Sequence, residues 1–347
     1  MWVATAAPSR AVVGRALLFT VLAAALGSSP ALAQAPACAP AGDVQFVCGQ
    51  QAPEDLVVVP GGEWVVASAY AGSGAIAVIR TRDRMSFAAY PAASAREQLD
   101  REAYGACPGP PDPSAFRTHG LYLQAGSGTT HRLYVVAHGG RESVEIFELD
   151  AGADVPRVTW IGCAVAPEPI GLNSVRALGD GGFIATNFLP RGETFQALQA
   201  GARNGELWEW HTGSGWARVP GSETSGANGL EISDDGRWLY VAAWGSQSFY
   251  RLSYGRTPVE RREIPLGFRV DNVRWARDGS ILATGQGGAQ GAQASIVVTI
   301  DPESLEVEEV VRRPDDQAFG AGTVAVEVGD AYWVGSFRGD RIAVFPR

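Results

Sequence analysis

Eight side chains in this 347-residue sequence carry the chemistry to be weighed first. Glu54 and Asp55 stand together ahead of LVVV, His119 opens HGLYL, and His138 closes YVVAHGG. Asn173 opens NSVRA, Asn228 lies in GANGLEI, and Asp271 and Asn272 open DNVRW. Carboxylate and amide oxygens drawn to one point are what a hard cation requires. Calcium takes about six to eight oxygen ligands in irregular geometry, whereas magnesium holds to a strict octahedron with several waters. Glu54 and Asp271 supply two negative charges for a divalent ion, and Asn173, Asn228 and Asn272 add neutral dipoles. Such an ion keeps the capacity to polarise a carbonyl or phosphoryl oxygen. His119 and His138 begin and end one hairpin, which lets two imidazoles meet, one held neutral and oriented to take a proton from water.

A single Asn or Asp before a strand is ordinarily a turn residue bonding its own backbone, and a single strand histidine is ordinarily structural. What changes the reading is repetition. GANGLEISDDGRWLYVAAW (226–244) is an alternating strand, a Ser-Asp-Asp-Gly turn and an apolar return strand, which is a β-hairpin signal. The same grammar opens at Asp55, His119, Asn173, Asp271 and Thr323, roughly 45 to 65 residues apart, the range of a solenoid or propeller period. Further short strands between copies (SVEIFEL, GELWEWH, SFYRLSY, SIVVTI, RIAVFP) complete sheets of about four strands. The predicted fold is all-β, a six-bladed β-propeller with four-stranded blades around a central channel. If the hairpins are equivalent, the opening residues occupy the same end of the innermost strands and aim at one mouth of that channel. Turn chemistry gives no reason for such residues to choose the same strand end each time.

Residues 1–33 carry Arg10 and Arg15, an apolar run from Ala16 to Leu26, and Ala31-Leu32-Ala33. This pattern predicts a secretory signal peptide cleaved before Gln34, too short to span a membrane. Residues 34–52 follow as an Ala/Pro-rich leader with one short strand able to close the ring, and residues 53–347 form the propeller. Export favours disulfides over metal for the four cysteines; of three pairings, Cys38 with Cys48 and Cys107 with Cys163 are expected. Lipidation at Cys38 is the competing reading, but Ala35-Pro36-Ala37 lacks the usual aliphatic residue. All 28 basic residues are arginine, which excludes Schiff-base lysine chemistry and the lysine-dependent phosphate loop. The mature charge of about −11 disfavours nucleic acid and anionic membrane surfaces. The sequence has no G-x-S-x-G elbow and no H-E-x-x-H helix, and Gly72 to Ala77 matches a dinucleotide fingerprint only formally, between two strands.

Two long insertions interrupt the period. Residues 81–118 include an expected helix over Ala92 to Tyr104 and the run CPGPPDP, and their nearness to His119 suggests a cover for the channel mouth. FLPRGETFQALQAGARNG (188–205) is expected to form a short helix turning Phe188, Phe195 and Leu198 inward.

At PEDLVVVPGG, HGLYL, YVVAHGG, SVEIFEL, LNSV with ATN, GANGLEISDDGRWLYVA, VDNV and GTVAVEVGD, the sequence resembles the paraoxonase family. That family belongs to a wider group of calcium-dependent six-bladed propellers that includes senescence marker protein 30 and gluconolactonases. The resemblance runs from about residue 53 to the end. It implies one catalytic calcium on Glu54, Asn173, Asn228, Asp271 and Asn272, with His119 and His138 as a histidine dyad. It also implies a second, structural calcium on Asp55, the Leu121 backbone carbonyl and position 174, where this chain has Ser174 in place of the family's aspartate. The family's disulfide from N- to C-terminus lacks its C-terminal partner here. The implied substrates are small-molecule lactones and aryl esters, with phosphotriesters as side substrates, and the base is either His119 or a metal-bound carboxylate. A sugar-lactone hydrolase of the gluconolactonase type and a non-catalytic propeller with a purely structural calcium are the alternatives.

Overall fold

The computed structural model describes residues 38–72, 74–288 and 293–347. The expected signal peptide lies outside the described residues. Strands alternate in sequence with Gly- and Asp-bearing turns, and each hairpin returns beside its predecessor. Blade one is Leu56–Val58, Trp64–Ser68, Ile76–Arg80 and Ser86–Tyr90. Blade two is Arg117–Gln124, Thr130–His138, Ser143–Asp150 and Arg157–Val165. Blade three is Leu172–Ala177, Phe183–Asn187, Glu206–His211 and Gly215–Arg218. Blade four is Ala227–Ile232, Trp238–Ala243, Ser248–Ser253 and Arg261–Pro265. Blade five is Arg269–Trp275, Ile281–Gly287, Ala294–Ile300 and Val307–Pro314. Blade six is Gly322–Val328, Ala331–Ser336 and Arg341–Pro346, completed from the other end of the chain by Gln45–Cys48.

The first strand of each blade contacts the first strand of the next, and blade six returns to blade one, so six inner strands ring one axis. This is a six-bladed β-propeller. Gln45–Cys48 pairs antiparallel with Arg341–Pro346, which closes the ring by hydrogen bonds between its two ends. Apolar side chains alternate onto the faces between blades. Leu230, Leu239, Val241 and Tyr250 of blade four, for instance, pack with Ile184 and Leu207 of blade three.

One irregularity recurs. In blades two to six the inner strand carries one residue more than its partner, between Thr118 and Leu121, Leu172 and Val175, Ala227 and Leu230, Val270 and Val273, and Gly322 and Ala325. These are β-bulges, which bend a strand and re-aim a side chain. His119, Asn173, Asn228, Asp271 and Asn272 all fall inside them. A regular strand would send Asp271 and Asn272 to opposite faces; the bulge breaks that alternation. Glycine follows the site residue where neighbouring inner strands crowd. A Cβ on Gly120 would stand 2.2 Å from the Asn173 carbonyl oxygen, and one on Gly229 would stand 2.6 Å from the Asn272 Cα.

Both expected disulfides are present, Cys38–Cys48 and Cys107–Cys163, so Cys38 is committed to a sulfur partner. The helix expected over Ala92 to Tyr104 shrinks to one turn, Arg101–Tyr104, because Asp100 caps it through the Glu102 and Ala103 amides. Upstream, Arg96–Glu97 pairs parallel with Thr159 and Trp160 as a fifth strand of blade two. Cys107–Cys163 fixes this insertion to the outer strand of blade two. The insertion is therefore not the expected cover for the channel mouth; only its Pro110–Phe116 end comes back, behind His138. The second insertion behaves as expected in part. Its helix Phe195–Gln199 buries Leu198 and leaves Phe195 more than half exposed at a pocket rim.

Candidate functional site at the channel mouth

At the end of the channel where the inner strands begin, a pocket of about 420 Å³ is lined by Glu54, His119, Asn173, Asn228 and Asp271. Asn272 completes the cluster by donating its Nδ2 to Glu54 Oε1 at 2.7 Å. All six of these side chains are buried. Four of their oxygens, Glu54 Oε2, Asn173 Oδ1, Asn228 Oδ1 and Asn272 Oδ1, are buried and have no hydrogen-bond partner. A buried acceptor without a donor costs on the order of 1–3 kcal/mol, and native folds leave few of them. Four drawn from blades one, three, four and five point to a group that satisfies them together.

The chemistry of the donors suits a hard divalent cation. Two carboxylates balance its charge, and amide oxygens complete an irregular shell of the kind calcium accepts. Among the described residues no three His, Cys, Asp or Glu side chains cluster as a metal site, so the set depends on its asparagines. Burial drives the Glu54 and Asp271 carboxyls well above their ordinary range, and the charge of Glu54 adds to the effect on Asp271. Two carboxylates out of water, relieved only in part by the Arg274 guanidinium on neighbouring Asp55, are what a cation would stabilise. Gln286 Nε2 holds Asp271 Oδ2 at 2.8 Å and fixes that carboxylate from the adjacent strand.

His119 and His138 meet as predicted from their places on one hairpin, His119 Nδ1 lying 2.9 Å from His138 Nε2. Behind them stands a group the sequence reading passed over: Glu142 Oε2 is 3.0 Å from His138 Nδ1. The Glu142 carboxylate has only lone pairs to offer, so His138 donates from Nδ1 and, as a neutral ring, accepts at Nε2. His119 must then donate from Nδ1, which leaves a lone pair on its Nε2. That nitrogen faces the cluster, 3.6 Å from Glu54 Oε2 and 3.4 Å from Asn173 Nδ2. Burial holds the His119 imidazole down at about 4, against the pull of Asp271, Asp55 and Glu142, so the ring is neutral. Glu142 is itself anchored by the Leu172 amide, donating to Oε1 at 2.7 Å. The only sequence signal for Glu142 was its place four residues after His138 in HGGRE. Tyr70, also unanticipated, lies against the dyad with its ring 4.6 Å from that of His119.

Asp55 and Leu121, expected with position 174 to hold a second ion, are part of a different arrangement. The Arg274 guanidinium binds both Asp55 oxygens through Nη2 and reaches the Leu121 carbonyl oxygen at 3.0 Å, with Nη1 on the Val273 carbonyl at 2.7 Å. Asp55 also accepts from the Leu56 amide at 2.8 Å and the Leu121 amide at 2.6 Å. Burial raises its carboxyl to about 6 even with Arg274 opposing the shift. Oxygens saturated by a guanidinium and two amides do not fit a second metal ion. A cation of the chain itself takes that place, and Ser174 needs no charge. Arg274 separates the site from a larger depression of about 930 Å³ at the opposite mouth, where Arg176 and Glu231 pair and none of the four amide and carboxylate oxygens of the cluster is found.

The pocket wall is aromatic on one side. Phe188, Phe195 and Trp244 pack with centroids 5.7–6.0 Å apart, so the second insertion does line the site. The other two histidines are structural: His131 accepts from the Gly126 amide and His211 pairs with Asp180.

No family model matches the chain, and no curated protein matches it. Solved structures do. A luciferin-regenerating enzyme superposes with TM-score 0.57 at 12% identity over 88% of this chain and 95% of its own. A candidate gluconolactonase gives TM-score 0.57 at 15% identity over 89% and 93%. Virginiamycin B lyase from Staphylococcus aureus gives 0.51 at 12% identity over 88% and 99%. At such identities the likeness is one of fold, a propeller spanning nearly the whole of each chain, and hydrolytic and lyase names share it.

Proposed function

We propose that this chain is an exported, calcium-dependent hydrolase of lactones and carboxylic esters of the paraoxonase kind. The observation that carries the reading is the set of four orphaned buried oxygens beside a neutral imidazole whose Nε2 lone pair faces them, touched only by the Asn173 amide at 3.4 Å. Glu54, Asn173, Asn228, Asp271 and Asn272 would hold one calcium ion, which when bound supplies a Lewis acid for the substrate's carbonyl oxygen. His119 Nε2 takes a proton from the attacking water. Its Nδ1–H, held by His138 Nε2, fixes the ring, and Glu142 stabilises the positive charge that develops on the pair. The aromatic wall excludes water and receives an apolar acyl or aryl group, which favours such substrates over polar sugar lactones. A candidate gluconolactonase among the similar folds supports lactone chemistry on this scaffold.

The test is a panel of γ- and δ-lactones and phenyl acetate, assayed with calcium and with chelator, on wild type and Asn228→Ala. Turnover that chelator abolishes, about one calcium per chain, and a calcium-induced rise in melting temperature lost in Asn228→Ala are expected. Wild-type turnover by Asn228→Ala would refute the metal role. Calcium-dependent stabilisation without turnover on any substrate would leave a structural ion in a binding module.

A further inference from the structure

Arg269 is the unexplained charge of the pocket. It stands at the start of the inner strand of blade five, two residues before Asp271 and therefore on the order of 7 Å along the strand toward the mouth. It lines the same pocket as the oxygen cluster and the aromatic wall. Its guanidinium carbon sits 4.2 Å from the Trp244 ring centroid, a cation–π contact that fixes its plane. Its Nη1 is buried without a hydrogen-bond partner, and among the described residues no carboxylate forms an ion pair with it. The other arginine of this pocket differs, since Arg338 is committed to Asp315 at 2.8 Å. A guanidinium that lines a pocket, rests against tryptophan and has no carboxylate partner among the described residues is an anion receptor.

Resting on the hydrolase reading above, we infer that the preferred substrate is a lactone or ester bearing a free carboxylate, which Arg269 binds while the ester group faces the oxygen cluster and the apolar body lies on Phe188, Phe195 and Trp244. The carboxylate lies a few bonds from the scissile carbonyl, as the spacing of Arg269 and Asp271 requires. Arg269 is on this account a specificity residue that takes no part in the bond-breaking step.

Two measurements test this. The first compares an aryl ester carrying a carboxylate with its methyl-capped counterpart, as the ratio of their kcat/KM values. A charge-assisted hydrogen bond is worth about 1.5–3 kcal/mol, so Arg269→Gln should lower that ratio roughly tenfold or more, with Arg269→Lys intermediate. A ratio unchanged in both variants, or a wild type that prefers the capped ester, overturns the inference. The second is calorimetric binding of 4-phenylbutyrate against 4-phenylbutanol, which needs no turnover. Selective binding of the carboxylate by wild type and its loss in Arg269→Gln support the receptor even if no ester is hydrolysed, in which case the hydrolase reading alone fails. Carboxylate binding that survives Arg269→Gln overturns the receptor and leaves the hydrolase reading intact.

Discussion

Arg274→Met isolates the claim that a guanidinium serves as the inner cation of this propeller. The substitution keeps an unbranched apolar stem but removes the guanidinium donors that reach the Leu121 carbonyl and both Asp55 oxygens. Asp55 is fully buried and keeps only the Leu56 and Leu121 amides as partners. Stripping one partner from a buried ion pair costs about 3–5 kcal/mol, chiefly from the charge left behind. At about 2 °C per kcal/mol for a domain of this size, the melting temperature should fall by about 6–10 °C. The double variant Asp55→Asn/Arg274→Met removes the stranded charge as well and should recover most of that loss, giving a coupling of at least about 2 kcal/mol in a double-mutant cycle. Thermal and urea unfolding in saturating calcium measure it. A single variant within about 1 kcal/mol of wild type, or wild type binding two calcium ions with Arg274 in place, would refute the reasoning.

Two further outcomes follow from the site's geometry. Glu142→Gln leaves one acceptor oxygen for two donors, the His138 Nδ1–H and the Leu172 amide, and removes the charge behind the dyad; kcat should fall roughly tenfold or more, with calcium affinity by calorimetry unchanged, and an unaltered kcat would separate Glu142 from the relay. Thr323→Val deletes the hydroxyl that donates to the Glu54 carbonyl oxygen at 2.6 Å while conserving shape. An orphaned carbonyl costs about 1–3 kcal/mol, and because Glu54 is a proposed ligand the loss should be larger with calcium than with chelator. Equal losses under both conditions would detach Thr323 from metal binding.

Much of this was legible because chemistry and period coincide. Asn173, Asn228 and Asp271 open hairpins of the same grammar, and strands equivalent by repetition must present equivalent ends to a common axis. What escaped the sequence depends on register or on partners far along the chain. The bulges that turn Asp271 and Asn272 inward add one residue to a strand and leave no compositional trace. Nothing in DNVRW marks Arg274, since Asp55, 219 residues away, becomes its neighbour only when blades one and five face each other across the channel. Glu142 carries no signal of its own, because HGGRE gives no sign that the chain folds back on His138. The insertion after residue 81 was assigned to the channel mouth from its nearness to His119 in sequence. Its cysteine and the backbone pairing of Arg96–Glu97 instead carry it to the outer edge of blade two.

Ring closure and assembly of the site are one event in this chain. Glu54 follows the closing strand Gln45–Cys48 by six residues, and its segment is held by blade six as well as by its own: the Ser336 amide donates to the Pro53 carbonyl at 2.9 Å and Thr323 to that of Glu54, while the Ser68 amide of blade one donates to the Asp55 carbonyl at 3.0 Å. The remaining orphaned oxygens come from blades three, four and five. A blade that opened between Gln45–Cys48 and Arg341–Pro346 would loosen the Glu54 carboxylate without disturbing the others. An ion bound across the channel mouth therefore opposes that opening, while Arg274, tying blade five to blades one and two below it, opposes it without any ion. On the calcium reading proposed above, two cations would divide the work: Arg274 holds the scaffold, and the exchangeable ion would be left with an incompletely satisfied oxygen shell, the condition under which it would still take a substrate oxygen.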